Sequence, residues 1–272
     1  MTDTRLSRSH LPRSHQKNRR ARTGALAGAG ALLACTGFAV PAFADTTAEP
    51  FDVLQLNLCH SGVADCYTGD DTAVRSGIAT VRQRTPDVVT LNEICAHDIT
   101  TMTKETGYHA EFAAAGHRDG GPYQCADDRG DYGVAILTHP DLGAPSGDVT
   151  ERTYTAQDGG TEQRVMLCAP FSAISACTTH LSADAPEIAG EQCRELMGAA
   201  TGAGRPTVIG GDFNLSHGGT PDVQNCVPDG WFRKGDGSVQ HVFANGDFGF
   251  ERTENLPIEG TDHPGLLVEL SH

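Results

Sequence analysis

Lysine is scarce in residues 45–272, which contain only Lys104 and Lys234. The whole chain has 35 acidic and 20 basic residues; one acidic and seven basic residues lie in 1–44, so residues 45–272 carry a formal charge of −21. Such a surface repels polyanions at long range, and a broad basic groove for duplex DNA is therefore not expected. A phosphate-bearing ligand is compatible with this charge, because a bound divalent cation can dominate the local field.

Internal repeats, long low-complexity linkers and apolar runs of membrane-spanning length are also missing from residues 45–272. The length of this part suits one domain with a sizeable core, so we expect a single domain at 45–272. Nothing in the sequence implies a protein partner, and a monomer is expected.

Residues 1–44 have the pattern of a bacterial secretory signal peptide. Their first half is rich in arginine, and an Ala/Gly/Leu-rich run then ends in Ala42-Phe-Ala44. We therefore expect cleavage after Ala44 and an extracellular protein. Arg19-Arg20 lacks the bulky apolar residue that a twin-arginine signal would place after it. The segment before Cys35 loosely resembles a lipoprotein box, which is the less favoured alternative.

Eight of the nine cysteines lie in residues 45–272, and none of them forms a CxxC pair. An even number of cysteines in an exported protein indicates disulfides, whereas zinc ligation is less favoured without that motif. Many pairings are possible. Sequence proximity favours Cys59–Cys66 and Cys168–Cys177, with Cys95–Cys125 and Cys193–Cys226 as the remaining pairs.

Hydrophobic periodicity predicts a set of helices and strands along the mature chain. Helices are predicted at 72–84, 97–106 and 187–200. Strands are predicted at 51–58, 87–93, 132–137, 163–168, 174–181, 208–209, 239–244 and 266–270. Residues 113–130 are expected to form a glycine-rich polar excursion.

The most informative stretch is residues 207–216, an apolar run that ends in Gly210-Gly-Asp-Phe-Asn214. The two glycines allow the backbone to turn or to approach another segment closely. Because side chains alternate along an extended segment, Asp212 and Asn214 should point the same way while Phe213 points into the core.

Similar polar residues lie at the boundaries of four other predicted strands. Together the five strand ends carry Asn57, Glu93, His180, Asp212 with Asn214, and Asp262 with His263. Carboxylate oxygens suit magnesium or calcium, and a histidine with a second carboxylate can transfer protons. These residues are therefore expected to form one site for a divalent cation and a phosphate.

The ordered segments LNLCHSG, PDVVTLNE, YGVAIL, QRVMLCAP, TTHLS, GGDFN and TDHPGLL resemble the endonuclease/exonuclease/phosphatase superfamily, which includes pancreatic-type deoxyribonuclease and secreted sphingomyelinases. The resemblance extends from about residue 51 to 270. It implies an α+β fold, a four-layer α/β/β/α sandwich with two packed mixed β-sheets and a site formed by the loops at one edge.

The resemblance also implies roles for individual residues. Glu93 would be the principal metal ligand, with Asn57 and Asp262 close to it, and Mg²⁺, Ca²⁺ or Mn²⁺ would be the cofactor. Asp212 and Asn214 would position or deprotonate the attacking water.

The remaining implied roles concern the phosphate. His180 and Arg164 would contact the phosphoryl oxygens, and His263 would act as a general acid or base or stabilise the transition state. No covalent enzyme intermediate is needed.

One position departs from the family pattern. Many relatives have an aspartate that orients the final histidine where this sequence has Gln240. A neutral amide can accept a hydrogen bond but stabilises an imidazolium less than a carboxylate does, so His263 is expected to be less basic than in those relatives. Asp131 is the candidate for an acidic partner of His180.

The substrate is the least determined feature, because a fold does not select one. A secreted nuclease is the leading hypothesis, and it predicts that Arg118, Arg129 and Arg164 gather at the site. A phospholipase C or sphingomyelinase would instead expose Trp231 and Phe232 beside it. A small-molecule phosphatase is a further alternative, and a non-catalytic phosphate-binding module is disfavoured by the intact acidic and histidine residues.

Overall fold

The computed structural model describes residues 49–272. The predicted signal peptide, its cleavage after Ala44 and the alternative at Cys35 lie outside the described residues. Two six-stranded sheets and three α-helices make up most of the described part.

The first sheet has the strand order β13-β14-β1-β2-β5-β3. Its strands are β1 (Pro50–Asn57), β2 (Val88–Cys95), β3 (His109–Ala114), β5 (Tyr132–Thr138), β13 (Gly249–Leu256) and β14 (Gly265–Ser271). Only β1 and β2 pair in parallel, and the other neighbours are antiparallel. The sheet is therefore mixed.

The second sheet has the order β11-β12-β10-β9-β8-β6 and repeats this plan. Its strands are β6 (Thr150–Thr153), β8 (Val165–Pro170), β9 (Ser175–His180), β10 (Thr207–Asp212), β11 (Trp231–Gly235) and β12 (Gln240–Asn245). Here β9 and β10 form the one parallel pair. A separate two-stranded ribbon joins β4 (Gly116–His117) to β7 (Glu162–Gln163).

Each parallel pair needs a crossover, and a helix supplies it. Helix α1 (Thr72–Arg84) connects β1 to β2, and α3 (Pro186–Thr201) connects β9 to β10. Helix α2 (Ala96–Thr106) follows β2 directly. A short 3₁₀ turn spans Val223–Cys226. None of the described helices is long and apolar enough to cross a membrane.

Three apolar clusters show how the layers stack. The central cluster lies between the two sheets and includes Val53 and Val208. A second cluster packs α1 and α2 on the outer face of the first sheet, and a third packs α3 on the second sheet. The buried stripe of α1 includes Val74, Ile78 and Val81, which recur at helical spacing. The expected four-layer α/β/β/α sandwich is confirmed.

All four expected disulfides are present: Cys59–Cys66, Cys95–Cys125, Cys168–Cys177 and Cys193–Cys226. Two of them stabilise the region that carries the site residues. Cys59–Cys66 closes the loop after β1, and Cys95–Cys125 joins the end of β2 to the polar excursion.

Candidate active site

Four predicted site residues lie near the carboxyl ends of the two parallel strand pairs: Asn57, Glu93, His180 and Asp212. In the first sheet, Asn57 of β1 is level with Asn92 of β2, one residue before Glu93. In the second sheet, Asp212 of β10 is level with His180 of β9. Both crossovers bring successive strand ends to one edge of their sheet, and the face-to-face packing of the sheets then brings the two edges together.

Asn57 connects the two sheets at this edge. Its side-chain Nδ2 donates to Glu93 Oε1 at 2.9 Å and to Asp212 Oδ2 at 3.0 Å. Its Oδ1 accepts from the backbone N–H of Cys59 at 3.0 Å, which holds the amide in this orientation. Asn57 is 1% exposed, so it links the two carboxylates away from bulk water.

Glu93 has an unusual backbone for a residue that carries a long side chain. Its φ is 51°, in the left-handed region, and the pairing of β2 with β5 is irregular between Leu91 and Ile94. A bulge of this kind turns a side chain away from the regular alternation of the strand. Conformations of this type cluster at functional sites, where the surrounding structure maintains them.

The two glycines before Asp212 permit a close approach, as the sequence predicted. A Cβ on Gly210 would lie 2.1 Å from Thr90 Oγ1 of the opposite sheet, and one on Gly211 would lie 2.5 Å from the Thr179 carbonyl oxygen. A larger residue at either position would push β10 away from its neighbours. The glycines therefore determine how near Asp212 comes to Glu93.

Asp212 and Asn214 lie together at the end of β10, and Phe213 between them is buried in the core beneath α3. Asp212 Oδ1 accepts the backbone N–H of Asn214 at 3.0 Å. Asn214, with φ 49°, donates through Nδ2 to the Leu181 carbonyl at 2.9 Å. The turn thus presents a carboxylate and an amide on the same side.

At its Nδ1 atom, His180 has a phenol as its neighbour instead of a carboxylate. The Tyr132 hydroxyl lies 3.4 Å from His180 Nδ1, and His180 Nε2 lies 4.0 Å from Glu93 Oε1. Asp131 accepts from the Gln124 side chain in an exposed position, so its expected pairing with His180 is wrong. Successive side chains along an extended segment point to opposite faces, so Tyr132 points inward where Asp131 points outward.

His263 joins the group from the loop before β14. Its Nε2 lies 3.6 Å from Asp212 Oδ2 and 3.6 Å from Asp262 Oδ1. Asp262 is the outlying member of the predicted set: its side chain is 58% exposed and lies beside the Cys59–Cys66 disulfide. Thr261 fixes the loop by donating to the Asn57 carbonyl at 2.9 Å.

Gln240 does not orient the His263 ring, and that expectation needs correction. Its Nε2 donates to the carbonyl of Pro264 at 2.9 Å, and its Oε1 accepts from Gln55 at 3.2 Å. Among the described residues it has no hydrogen bond to the imidazole. A neutral amide that both donates and accepts fits this buried position between the sheets, where an aspartate could not donate.

Gln240 belongs to a polar layer that sequence reasoning missed. Gln55 donates to Asn92 Oδ1 at 2.7 Å, and the same oxygen accepts the backbone N–H of Asp212 at 2.7 Å. Asn92 also donates to the Thr179 carbonyl at 2.8 Å. The layer holds the two sheets in register beneath the site. Its signal in the sequence is the presence of Gln55 and Asn92 within otherwise apolar strands.

Arg164 lies immediately before β8 with unsatisfied hydrogen-bonding capacity. Its Nε is 3.3 Å from Glu162 Oε1, and its buried Nη1 has no hydrogen-bond partner in the described part of the chain. A buried guanidinium N–H without a partner is costly, and a bound oxyanion would satisfy it. This observation fits the phosphate-binding role that the sequence predicts for Arg164.

Arg118 and Arg129, the other expected arginines, do not line the same cleft. Arg118 donates to the Asp158 carbonyl at 2.9 Å. Arg129 lies over the Tyr67 ring, 4.8 Å from its centroid, and one of its Nη atoms is 2.9 Å from His60 Nδ1. Of the three arginines expected at the site, only Arg164 lines the cleft.

Burial shifts the acidity of the central groups. Loss of solvation raises the pKa of Glu93, and the hydrogen bond from Asn57 offsets only part of this rise. Loss of solvation also raises the pKa of Asp212, where the nearby His263 acts in the opposite direction. Burial also lowers the pKa of His180 well below its usual value, with Arg164 adding to the effect. His180 is therefore neutral at pH 7, and two carboxyl groups share a poorly solvated space.

The donor set fits a hard divalent cation. In the described chain, neither Glu93 nor Asp212 has a lysine or arginine within ion-pair distance, and a single amide bridges them. Buried carboxylates without a cationic partner are unfavourable, and a metal ion with oxygen ligands is a common solution. Glu93 and Asn57 are in contact as predicted, whereas Asp262 would have to approach from the exposed loop.

A cleft of about 320 Å³ opens over these groups. Its lining includes Glu93, Arg164, His180, Asp212, Asn214 and His263, together with residues from the 61–64 loop, the polar excursion and Glu162. Four other cavities in the described part contain none of the predicted site residues. This cleft is therefore the place where the predicted chemistry is concentrated.

Comparison with known families agrees with this geometry. Residues 54–263 match the model of the Endonuclease/Exonuclease/phosphatase family. The chain belongs to this family, and it is accordingly a phosphoester hydrolase of a class that mostly depends on divalent metal ions. Among curated proteins, no sequence matches the chain at a significant level.

Solved structures share the fold at low sequence identity. A family member from Bacteroides thetaiotaomicron matches with a TM-score of 0.66 and 15% identity, covering 82% of this chain and 96% of its own. A mannosyl-6-phosphatase from the same organism matches with 0.63 and 16%, covering 82% and 100%. D. rerio TDP2 complexed with single-strand DNA product matches with 0.62 and 14%, covering 82% and 99%.

Proposed function

We propose that this chain is a divalent-metal-dependent phosphodiesterase that cleaves nucleic acid at single-stranded segments or strand ends. The observation that carries the proposal is the amide bridge of Asn57 between Glu93 and Asp212, in a cleft that also contains Arg164, whose Nη1 has no hydrogen-bond partner among the described residues. These groups provide a cation site and an oxyanion site in one cleft. A phosphoester bound between them would be attacked in line by water.

Each residue has a distinct task in this proposal. Glu93, with Asn57 beside it and Asp262 from the loop, would hold Mg²⁺, Ca²⁺ or Mn²⁺, which when bound withdraws charge from the phosphoryl group. Asp212 Oδ2 accepts the proton of the attacking water, and Asn214 orients that water. His263 Nε2 lies 3.6 Å from Asp212 Oδ2, so it can relay a proton or hold a phosphoryl oxygen.

The remaining donors address the phosphate itself. Arg164 would satisfy its free Nη1 with a phosphoryl oxygen, and neutral His180 would donate a second hydrogen bond through Nε2. Because the Tyr132 hydroxyl lies near Nδ1, it supports the tautomer that carries its proton on Nε2. Donors placed where charge develops stabilise the transition state more than the ground state.

The choice of single strands over duplex rests on charge and on cleft size. Residues 45–272 carry a formal charge of −21, and Arg164 is the one arginine in the lining of a cleft of about 320 Å³. A duplex needs a broad cationic surface, whereas one nucleotide unit needs only a local one. The TDP2 neighbour is described with a single-strand DNA product.

A second candidate is a small sugar-type phosphoester, favoured by the acidic Glu162 in the cleft and by the mannosyl-6-phosphatase neighbour. The lipid hypothesis loses its expected surface. Trp231 and Phe232 are half-buried on β11, and Trp231 is level with Asn245, at the opposite end of β12 from Gln240. They do not lie beside the cleft.

We further propose that residues 1–44 direct export, with cleavage after Ala44, and that 45–272 is the catalytic domain of a secreted monomer. Four disulfides support an oxidising destination, because such bonds rarely persist in a reducing cytosol. Detection of the protein in culture medium with Asp45 as its first residue would test this.

The activity itself is tested by offering single-stranded DNA, RNA, mannose 6-phosphate and sphingomyelin side by side. Each reaction is run with Mg²⁺, Ca²⁺, Mn²⁺ or a chelator, using oxidised protein and Asp212→Asn. Metal-dependent cleavage of a single strand, lost in the variant, is the expected result. Hydrolysis of the sugar phosphate alone would support the second candidate, and turnover of sphingomyelin alone would restore the lipid hypothesis.

A further inference from the structure

Glu162 lies in the cleft but has no task in the hydrolysis described above. Its side chain is 19% exposed, and its nearest ionic partner is Nε of Arg164 at 3.3 Å. No side-chain hydrogen bond to its carboxylate is present among the described residues. A carboxylate beside a phosphate-binding arginine weakens the attraction of that arginine for anions, so its presence needs a different explanation.

An aromatic surface adjoins Glu162. In the β4–β7 ribbon, His117 is directly opposite Glu162, and the His117 ring stacks on Tyr123 at a centroid distance of 5.8 Å and an interplanar angle of 23°. Tyr123 also contacts the edge of Tyr132 at 5.7 Å and lines the cleft. The ribbon therefore brings Glu162 close to the His117–Tyr123 pair, and both Glu162 and Tyr123 line the cleft.

The cleft also contains an exposed apolar side chain. Val63 is 60% exposed on the loop closed by the Cys59–Cys66 disulfide, and it belongs to the same lining as Glu162 and Tyr123. Exposed large apolar side chains are rare in the described part of this chain, where the other one is Phe250. An apolar residue at a cleft mouth favours contact with a ligand over contact with water.

We propose that Glu162, Tyr123 and Val63 form a subsite for the alcohol part of the phosphoester, and that this subsite takes an uncharged ring bearing hydroxyl groups. The ring would pack on Tyr123 and Val63, and its hydroxyl groups would donate to Glu162. A second phosphate on that ring would be repelled by the carboxylate, so within the proposed function the subsite fits the ring at a strand end and not a ring inside a strand. The inference rests on the proposed function, since it places the ring next to the phosphate held by Arg164.

Two kinds of ligand share this chemistry, a sugar phosphate and a nucleotide. An aromatic face supports stacking of a base more strongly than packing of a sugar, because every base has a π surface. The two sources therefore differ in how much they depend on Tyr123.

Matched pairs of ligands test the subsite directly. Dissociation constants of the full oxidised protein are measured by calorimetry at pH 8.5 with Mg²⁺. One pair is glucose 6-phosphate and glucose 1,6-bisphosphate, and the other is thymidine 5′-monophosphate and thymidine 3′,5′-bisphosphate. In at least one pair we expect the singly phosphorylated ligand to bind about tenfold more tightly, a preference that falls close to unity in Glu162→Gln.

Two further variants complete the test. Glu191→Gln removes an exposed carboxylate on α3 and should leave the preference unchanged. Tyr123→Leu should weaken thymidine monophosphate more than glucose 6-phosphate if the natural ligand is a nucleotide, and both equally if it is a sugar phosphate. Inorganic phosphate serves as the ligand without a ring.

Several results would overturn the subsite. These are failure of the wild type to bind any of the four ligands, an unchanged preference in Glu162→Gln, or an equal change for every ligand including inorganic phosphate, which would mean that Glu162 acts only through Arg164. The proposed hydrolysis fails separately, if no phosphoester is cleaved with any metal while the binding preference persists.

Discussion

The two βαβ units of this protein reach the same edge by similar routes but deliver different chemistry. The unit β1-α1-β2 supplies Asn57 and Glu93, whereas β9-α3-β10 supplies His180 and Asp212. The first unit presents its carboxylate through a left-handed residue at a bulge. The second brings its carboxylate close through two glycines.

This difference follows from what each carboxylate is proposed to do. Glu93 must be turned out of its strand toward a cation, and a bulge changes the direction of a side chain. Asp212 must approach from the other sheet, and only a residue without a Cβ leaves room for that. The shared partner Asn57 then sets the spacing of the two groups.

The strongest way to separate the two units is to remove one carboxylate at a time. We expect Glu93→Gln and Asp212→Asn each to lower kcat/KM by about 10³-fold or more, because each removes a charge that acts in the transition state. Only Glu93→Gln should also weaken Mg²⁺ binding strongly, as measured by calorimetry. Equal loss of Mg²⁺ affinity in both variants would mean that the units share the metal instead of dividing the work.

The close approach of the second unit can be tested through stability. Gly210→Ala places a Cβ about where Thr90 Oγ1 lies, so we expect a loss of about 3 kcal/mol in the free energy of unfolding in urea. Gly198→Ala is the matched control, because nothing lies within 4 Å of its added Cβ in α3. That control should gain about 0.5–1 kcal/mol. A neutral Gly210→Ala would show that the sheets can separate at no cost.

The β4–β7 ribbon, which adds Glu162 to the cleft that both units line, should respond to pH. Burial raises the pKa of Glu162 from 4.5 to about 7, against the opposing charge of Arg164. A raised carboxyl pKa favours the folded state below pH 4.5, and this contribution is lost as the pH rises through 7. As the pH rises from 4.5 to about 7, we expect the free energy of unfolding to fall by on the order of 1–3 kcal/mol more in the wild type than in Glu162→Gln. The measurement is urea unfolding with a chelator present.

Glu191→Gln is again the control for this pH dependence, since Glu191 is exposed on α3. Burial also raises the pKa values of Glu93 and Asp212, so these two groups lower the free energy of unfolding with rising pH in all three proteins alike. Parallel pH profiles for the wild type and Glu162→Gln would contradict the prediction.

The smallest expected effect concerns Gln240→Asp, at the contact between the units. An aspartate would add negative charge near the His263 loop, and we expect the basic limb of the pH–rate profile to move by about one pH unit or less. It would also lose the donation to the Pro264 carbonyl, so a modest decrease in stability should accompany the shift. An unchanged basic limb would show that position 240 does not influence His263.

Strongly periodic segments could be predicted from the sequence, and edge strands could not. Helix α1 was expected at 72–84 and spans Thr72–Arg84, because its apolar stripe is clear. The strands β6 and β13, which lack such a signal, were not expected. Their residues are almost all exposed, so they have no buried face and no alternation to detect.

The site residues can also be divided into those that the sequence predicted and those that it did not. Residues whose types are unusual at the end of an apolar strand, such as Glu93 and Asp212, could be found from the sequence. Tyr132 and Glu162 could not, because tyrosine and glutamate are common in strands and loops and nothing local distinguishes them. Asp131 was the candidate partner of His180 because of its charge, but it is Tyr132, at the start of β5, whose side chain lies beside His180.

The sandwich was implied by the resemblance to a known family, whereas the sequence by itself indicated the central strands and helices, the favoured disulfide pairs and the polar residues at the strand ends. These features depend on local periodicity, chain distance and residue type, all of which can be read along the chain. The tertiary structure decided the amide bridge of Asn57, the position of Gln240 beside Pro264 and the meeting of Glu162 with the Tyr123 surface. Such contacts depend on how two sheets pack and on which residues lack a Cβ, and packing between distant segments leaves no periodic trace in either one.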